Sequence, residues 1–300
     1  MKIRGLIAGI ATIVIWGVTF VNTKALLGDF NSFEILFVRF AAAYAALWVI
    51  WPRRLAVDGW REELHFVGMG LSGVAAYQFL ENLAISHTNA SNVAILVSTC
   101  PMGAAILSRI FLGEHALSRR FFIGFVLAIG GVVLVCLDGI RTFHFSPVGD
   151  LLALGAMGCW SVYSVLITRV NAKGYGPIVA IRRTFFWALV FMLPFVPFSC
   201  SFGLTLNAER FSSGLNLLNL GFLGLLASAL AFVLWNETCK HLGTVRATCG
   251  PSGASPIAFS VIAWSSASAQ AFSDGLARTS FATAPWTASP RQSHQAPRSG

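Results

Sequence analysis

Of the 300 residues, 56% are hydrophobic and only 11% are Asp, Glu, Lys or Arg, and the mean hydropathy is +0.71. Soluble domains carry about 25% charged residues, so a fold that works in water is excluded. The formal charge of +9 fits the cytoplasmic bias of a membrane protein better than a nucleic-acid surface.

The chain opens on Met1-Lys2-Ile3-Arg4 and an apolar run that continues through Leu27 without a small-x-small cleavage site. This predicts an uncleaved first span rather than a signal peptide. A helix needs about 20 apolar residues to cross the hydrocarbon core. Runs of that kind fall at about 5–27, 33–51, 64–86, 90–112, 121–137, 148–170, 177–198 and 214–235. Their separators hold turn and charged residues: Gly28 to Asn31, Pro52-Arg53-Arg54, His87-Thr88-Asn89, Glu114-His115 with Arg119-Arg120, and Asp138 to Pro147. Pro101 predicts a kink in the fourth span, and Gly113 stands where a helix C-cap wants glycine.

One side of the membrane collects Lys2, Arg4, Arg53, Arg54, Arg61, Arg119, Arg120, Lys173, Lys240 and Arg246, and the other little more than Lys24, Arg141 and Arg210. By the positive-inside rule the N-terminus is cytoplasmic. The six cysteines show no CxxC and no metal-ligand spacing, so buried free thiols are expected.

An ordered internal repeat runs through the chain. Trp16 matches Trp160 and Arg39 matches Arg183 at a spacing of 144 (160−16, 183−39), and Asn82 matches Asn236 and His87 matches His241 at 154 (236−82, 241−87). A first unit of five spans, residues 1–140, starts the second unit, residues 148–246, on the opposite face. The two units are therefore expected to be inverted, an architecture of secondary transporters. Only three spans are clear in the second unit. Residues 247–300 turn to Ala, Ser, Pro, Arg and Gln, with one short apolar island at 256–264, and predict a disordered tail.

Ionisable groups inside spans are functional candidates. Arg39 and Arg183 either line a polar cavity and bind an anionic group or snorkel to the headgroups, and snorkelling is the expectation for Arg182. Tyr77, Gln78, Glu81 and Asn82 share one helix face, where the carboxylate could carry a coupling proton. The alternative is a helix-terminal carboxylate in water or paired with Lys24. Asn236 and Glu237 are the positional counterparts in the second unit. Trp16 and Trp160 either stack on substrate or pack helices. The sequence carries no HExxH, GxSxG, Walker A or EF-hand pattern, so no enzyme and no cofactor is expected.

The segments Trp16 to Phe20 with Lys24, Arg39 with Ala41 to Ala43, Glu81 to Ala84, Pro101, Phe111 to Glu114, Phe122 to Gly124 and Gly130 to Val132 together resemble the EamA-type members of the drug/metabolite transporter superfamily over about residues 1–246. The resemblance implies an all-α polytopic protein of ten spans in two inverted five-helix repeats, with a central cavity, in the cell (inner) membrane. It implies export of small metabolites or drugs by alternating access, with or without proton coupling. A second Leu-Gly-Glu-like turn is expected near residues 266–268, where Ser266, Ala267 and Ser268 stand instead. A change of reading frame near residue 247 would account for this departure. If the shortened second repeat cannot close the cavity, the alternative is a membrane structural or accessory protein without transport.

Overall fold

Backbone N–H and C=O groups have no water to bond in a bilayer, so a chain this apolar must satisfy them within each segment. The structure is a computed structural model that describes residues 2–57, 59–88, 90–113, 117–137, 146–197 and 209–243, and among these there are helices and no strands. The expected tail at 247–300, the fifth-to-sixth connection at 138–145 and Glu114 lie outside the described residues, as does the side chain of Lys24.

Among the described residues, helical segments coincide with all eight apolar runs and are numbered as spans in chain order. The first is Lys2–Leu26, the second Ser32–Ile50 and the fifth Arg119–Leu137. The third joins Trp60–Gly70 and Tyr77–His87 through a π-helical stretch, Leu71–Ala76. The fourth is broken into Ala90–Val97 and Cys100–Leu112, with Pro101 in the first turn of the second piece. A proline there removes one N–H from the ladder, and the hydroxyls of Ser98 and Thr99 donate to the Ile95 and Leu96 carbonyls at 2.6 Å across the break. The sixth is Pro147–Ala172 and the seventh Pro177–Met192, extended by a 3₁₀ turn. The eighth joins Gly214–Gly221 and Ala231–Leu242 through a second π-helical stretch, Phe222–Leu230.

Among the described residues, five helical segments are long and apolar enough to cross a bilayer: Ser32–Ile50, Ile95–Leu112, Pro147–Ala172, Pro177–Phe195 and Gly214–Leu242. The third is loaded with Arg61, Glu62, Glu63 and His65 in its opening turns. The stripe Ile3, Ile7, Ile10, Val14 and Val18 on the first span is exposed, as expected of a face turned to lipid. The protein is a multi-pass all-α membrane protein.

The packing has a twofold character. The first span runs along the eighth as the sixth runs along the third, and the second meets the eighth as the seventh meets the third. Close contacts at glycine follow the same plan. A Cβ on Gly70 would meet the seventh span's Ala188 N and Thr184 O at 2.7 Å, and one on Gly224 would meet Ala42 Cβ at 2.9 Å and Arg39 O at 3.4 Å on the second. At the ends, a Cβ on Gly5 would meet His241 at 2.8 Å, and one on Gly149 would meet Thr88 at 2.6 Å. Small residues let membrane helices approach this closely, where packing rather than water drives association.

Helix ends are held by local chemistry. Asn31 and Glu34 form a reciprocal cap at the second span, with 2.9 and 2.7 Å bonds. Gly113 ends the fourth with φ 69°, the left-handed cap expected of it. Of the described cysteines, Cys100, Cys159 and Cys239 are free, the first and last buried.

Candidate functional site

The aromatic residues of four spans meet at the centre of the bundle. Trp16 lies midway along the first span and Trp160 midway along the sixth, and their ring centroids are 5.9 Å apart, edge to face. Trp16 also contacts Phe232 at 5.6 Å and Trp235 at 5.7 Å, while Trp160 contacts Tyr77 and Tyr163 at 5.1 Å each and Trp235 at 6.1 Å. Such pairs contribute about 0.5–1.5 kcal/mol each beyond their burial, so the cluster holds the four helices in register. The indole of Trp16 donates to the Ala227 carbonyl at 3.0 Å, inside the eighth span's π-helical stretch.

Charge enters this cluster from one side. Tyr77 Oη donates to Glu81 Oε1 at 3.0 Å, one turn along the third span. Arg39, on the second span, is buried, and its Nε donates to Ser228 Oγ of the eighth at 2.9 Å. A cation and a carboxylate are thus carried by different helices beside one aromatic wall. Gln78 and Asn82 are half-buried on the same stretch of the third span.

Among the described residues, the interior groups without a hydrogen-bond partner include Tyr163 Oη, Trp235 Nε1 and both ends of the Asn236 amide. Asn236 is fully buried. Leaving a buried polar group unmade costs about 1–3 kcal/mol, so each calls for an explanation. Tyr163 and Trp235 were not among the sequence candidates. The spacing of 154 pairs Trp235 with Glu81, a signal that could have drawn attention to it.

Trp16, Tyr77, Glu81 and Trp160 are therefore brought together, with Arg39 close by. Arg183 is not. Its Nε bonds Glu63 Oε1 at 2.7 Å at the opposite end of the bundle, where Trp187 also donates to Glu63. Arg182 is buried against the second span. Its guanidinium lies 4.0 Å over the Trp48 ring and donates to the Trp51 and Arg53 carbonyls, orphan acceptors at the end of the second span.

The bundle thus carries a buried cation, a carboxylate and unpartnered polar groups around an aromatic centre. A model of the EamA-like transporter family matches residues 3–137. An "Uncharacterized transporter" of Archaeoglobus fulgidus is 31% identical over 229 residues, covering 75% of this chain and 76% of that protein. The "Probable terminal-alkyne amino-acid exporter" of Streptantibioticus cattleyicolor is 26% identical over 255 residues, covering 84% and 82%. A crystal structure at 20% identity superposes with a TM-score of 0.65 over 92% of this chain and 98% of the other, showing the shared fold. The chain belongs to the EamA-like transporter family and is a membrane transporter of small molecules.

Proposed function

We propose that the protein is a secondary transporter that exports a small zwitterionic or amphipathic metabolite across the cytoplasmic membrane by alternating access, with its N-terminus in the cytoplasm. The central cluster carries this reading: Glu81 on Tyr77 and Arg39 on Ser228 stand beside the Trp16–Trp160 contact. A carboxylate and a guanidinium match the ammonium and carboxylate of an amino-acid-like solute, and the aromatic wall matches an apolar side chain. The relative named as an amino-acid exporter supports the same class. The unpartnered Tyr163 Oη, Trp235 Nε1 and Asn236 amide supply polar contacts as the solute moves toward the other face. Glu81 is also the group that would exchange a proton for the solute.

The matched packing of the first span on the eighth and the sixth on the third supports two inverted repeats, 1–140 and 148–246. Inverted halves can exchange conformations and so open one midplane site to each side in turn. The test is flux in proteoliposomes against a panel of amino acids and their derivatives. Glu81→Gln and Arg39→Ala should each lower the rate by about tenfold or more, the loss of one charge-assisted contact. Full flux in both variants would remove these residues from the path. Collapse of an imposed proton gradient should slow the wild type and leave Glu81→Gln unaffected.

A further inference from the structure

We propose that two polar latches, one at each end of the bundle, are the gates of this carrier and open in turn. The proposal rests on the alternating-access reading above.

The first latch ties the opening turn of the third span to the turn between the sixth and seventh. Lys173 Nζ bonds Glu62 Oε1 at 2.5 Å, and Tyr175 Oη donates to Glu62 Oε2. The second lies at the opposite end and ties the opening turn of the eighth span to the turn between the first and second. Asn216 Nδ2 donates to Asp29 Oδ2 at 2.8 Å, and Arg210 donates to the Asp29 carbonyl at 2.5 Å and to Glu34 at 3.2 Å.

The two latches coincide position by position. Glu62 and Asn216 are 154 residues apart, and Asp29 and Lys173 are 144 apart (216−62, 173−29), the two spacings that relate the proposed repeats. The chemistry is reversed while the positions are kept. At one end the span supplies the acid and the turn the cation; at the other the turn supplies the acid and the span an amide. Residue identity therefore hides the match, and only the structure exposes it.

Each latch joins one proposed repeat to the other, so releasing it separates them at that face alone, with the Trp16–Trp160 contact as the pivot. The Lys173 side chain is 57% exposed, and ion pairs that exposed are weak, as a gate must be. Beside this latch a cavity of about 260 Å³, lined by Glu62, His65, Phe66, Arg169, Lys173 and Tyr175, leaves room for the lysine to swing.

The test uses the full chain with its native cysteines replaced, a reporter Gln78→Cys, and one cysteine pair at a time: Glu62→Cys with Lys173→Cys, or Asp29→Cys with Asn216→Cys. A membrane-impermeant maleimide is applied from either face. Oxidising the first pair should confine labelling of the reporter to the outer face, and oxidising the second should confine it to the inner face. Each should lower flux by about tenfold, with recovery in reductant. Labelling that persists from the locked side in either protein overturns the proposal. As a check independent of cross-linking, Lys173→Gln should raise labelling from the inner face about two- to fivefold, and Asp29→Ala should do so from the outer face. No change in both overturns it as well. One-sided labelling in opposite senses with no flux for any solute would keep the latches and remove the transport reading.

Discussion

Asn236 shows what a single side chain is asked to do in this interior. Its amide is fully buried and neither end is bonded, so the folded state carries a penalty that an apolar residue of the same size would not. Asn236→Leu should raise the stability of the purified protein by about 1–3 kcal/mol, read as a higher Tm in detergent, and should slow flux if the amide serves the solute. A lower Tm would show that the amide is bonded in the membrane. Trp16 is the converse case. Its indole holds the Ala227 carbonyl at 3.0 Å, and Trp16→Phe keeps the ring contacts while leaving that acceptor unmade. The expected loss is about 1–3 kcal/mol, again measured as a Tm shift. Trp16→Phe with unchanged Tm would place that carbonyl's bond elsewhere.

At the scale of the elements, close approach and local geometry decide what the helices tolerate. Gly70→Ala places a methyl 2.7 Å from the backbone of the seventh span, where no side chain can yield. Overpacking of this kind costs about 1–3 kcal/mol. Gly221→Ala, with nothing within 4 Å, should instead stabilise its helix by about 0.5–1 kcal/mol. Equal Tm changes in the two variants would refute the packing account. The eight helical runs were legible in the sequence because apolar length marks them, though five described segments are long and apolar enough to cross a bilayer, and Pro101 signalled an irregularity in the fourth, which the structure shows as a break rather than a kink. The two π-helical stretches were not legible, since Leu71–Ala76 and Phe222–Leu230 are apolar runs like any other. The partner of Arg183 was hidden for a related reason. Its depth along the seventh span is visible in sequence, but its partner Glu63 lies on another helix and can be found only once the helices are packed. The Trp16, Tyr77, Glu81 and Trp160 grouping was partly legible, since helix spacing and the repeat nominate its members, but neither shows that the first, third and sixth spans converge.

For the molecule as a whole, the distribution of basic residues fixes an expected orientation. A cysteine introduced in the turn at Gly28 should react with an impermeant reagent from outside intact cells, and one at Gly174 only after lysis. The reverse pattern would invert the orientation and exchange the sides assigned to the two latches. The described ends also differ in chemistry. One is held by Glu62 and Glu63 with Lys173 and Arg183, the other by Asp29 and Glu34 with Arg210 and Asn216.

The two π-helical stretches bear on where the bundle's backbone is least regular. A π turn closes on i→i+5 rather than i→i+4, so the helix is wider there than on either side. Shifting Leu71–Ala76 by 154 residues gives 225–230, inside Phe222–Leu230, so the third and eighth helices widen at matching positions. Such turns gather at functional sites, and the Ala227 carbonyl that receives the Trp16 indole lies in one of them.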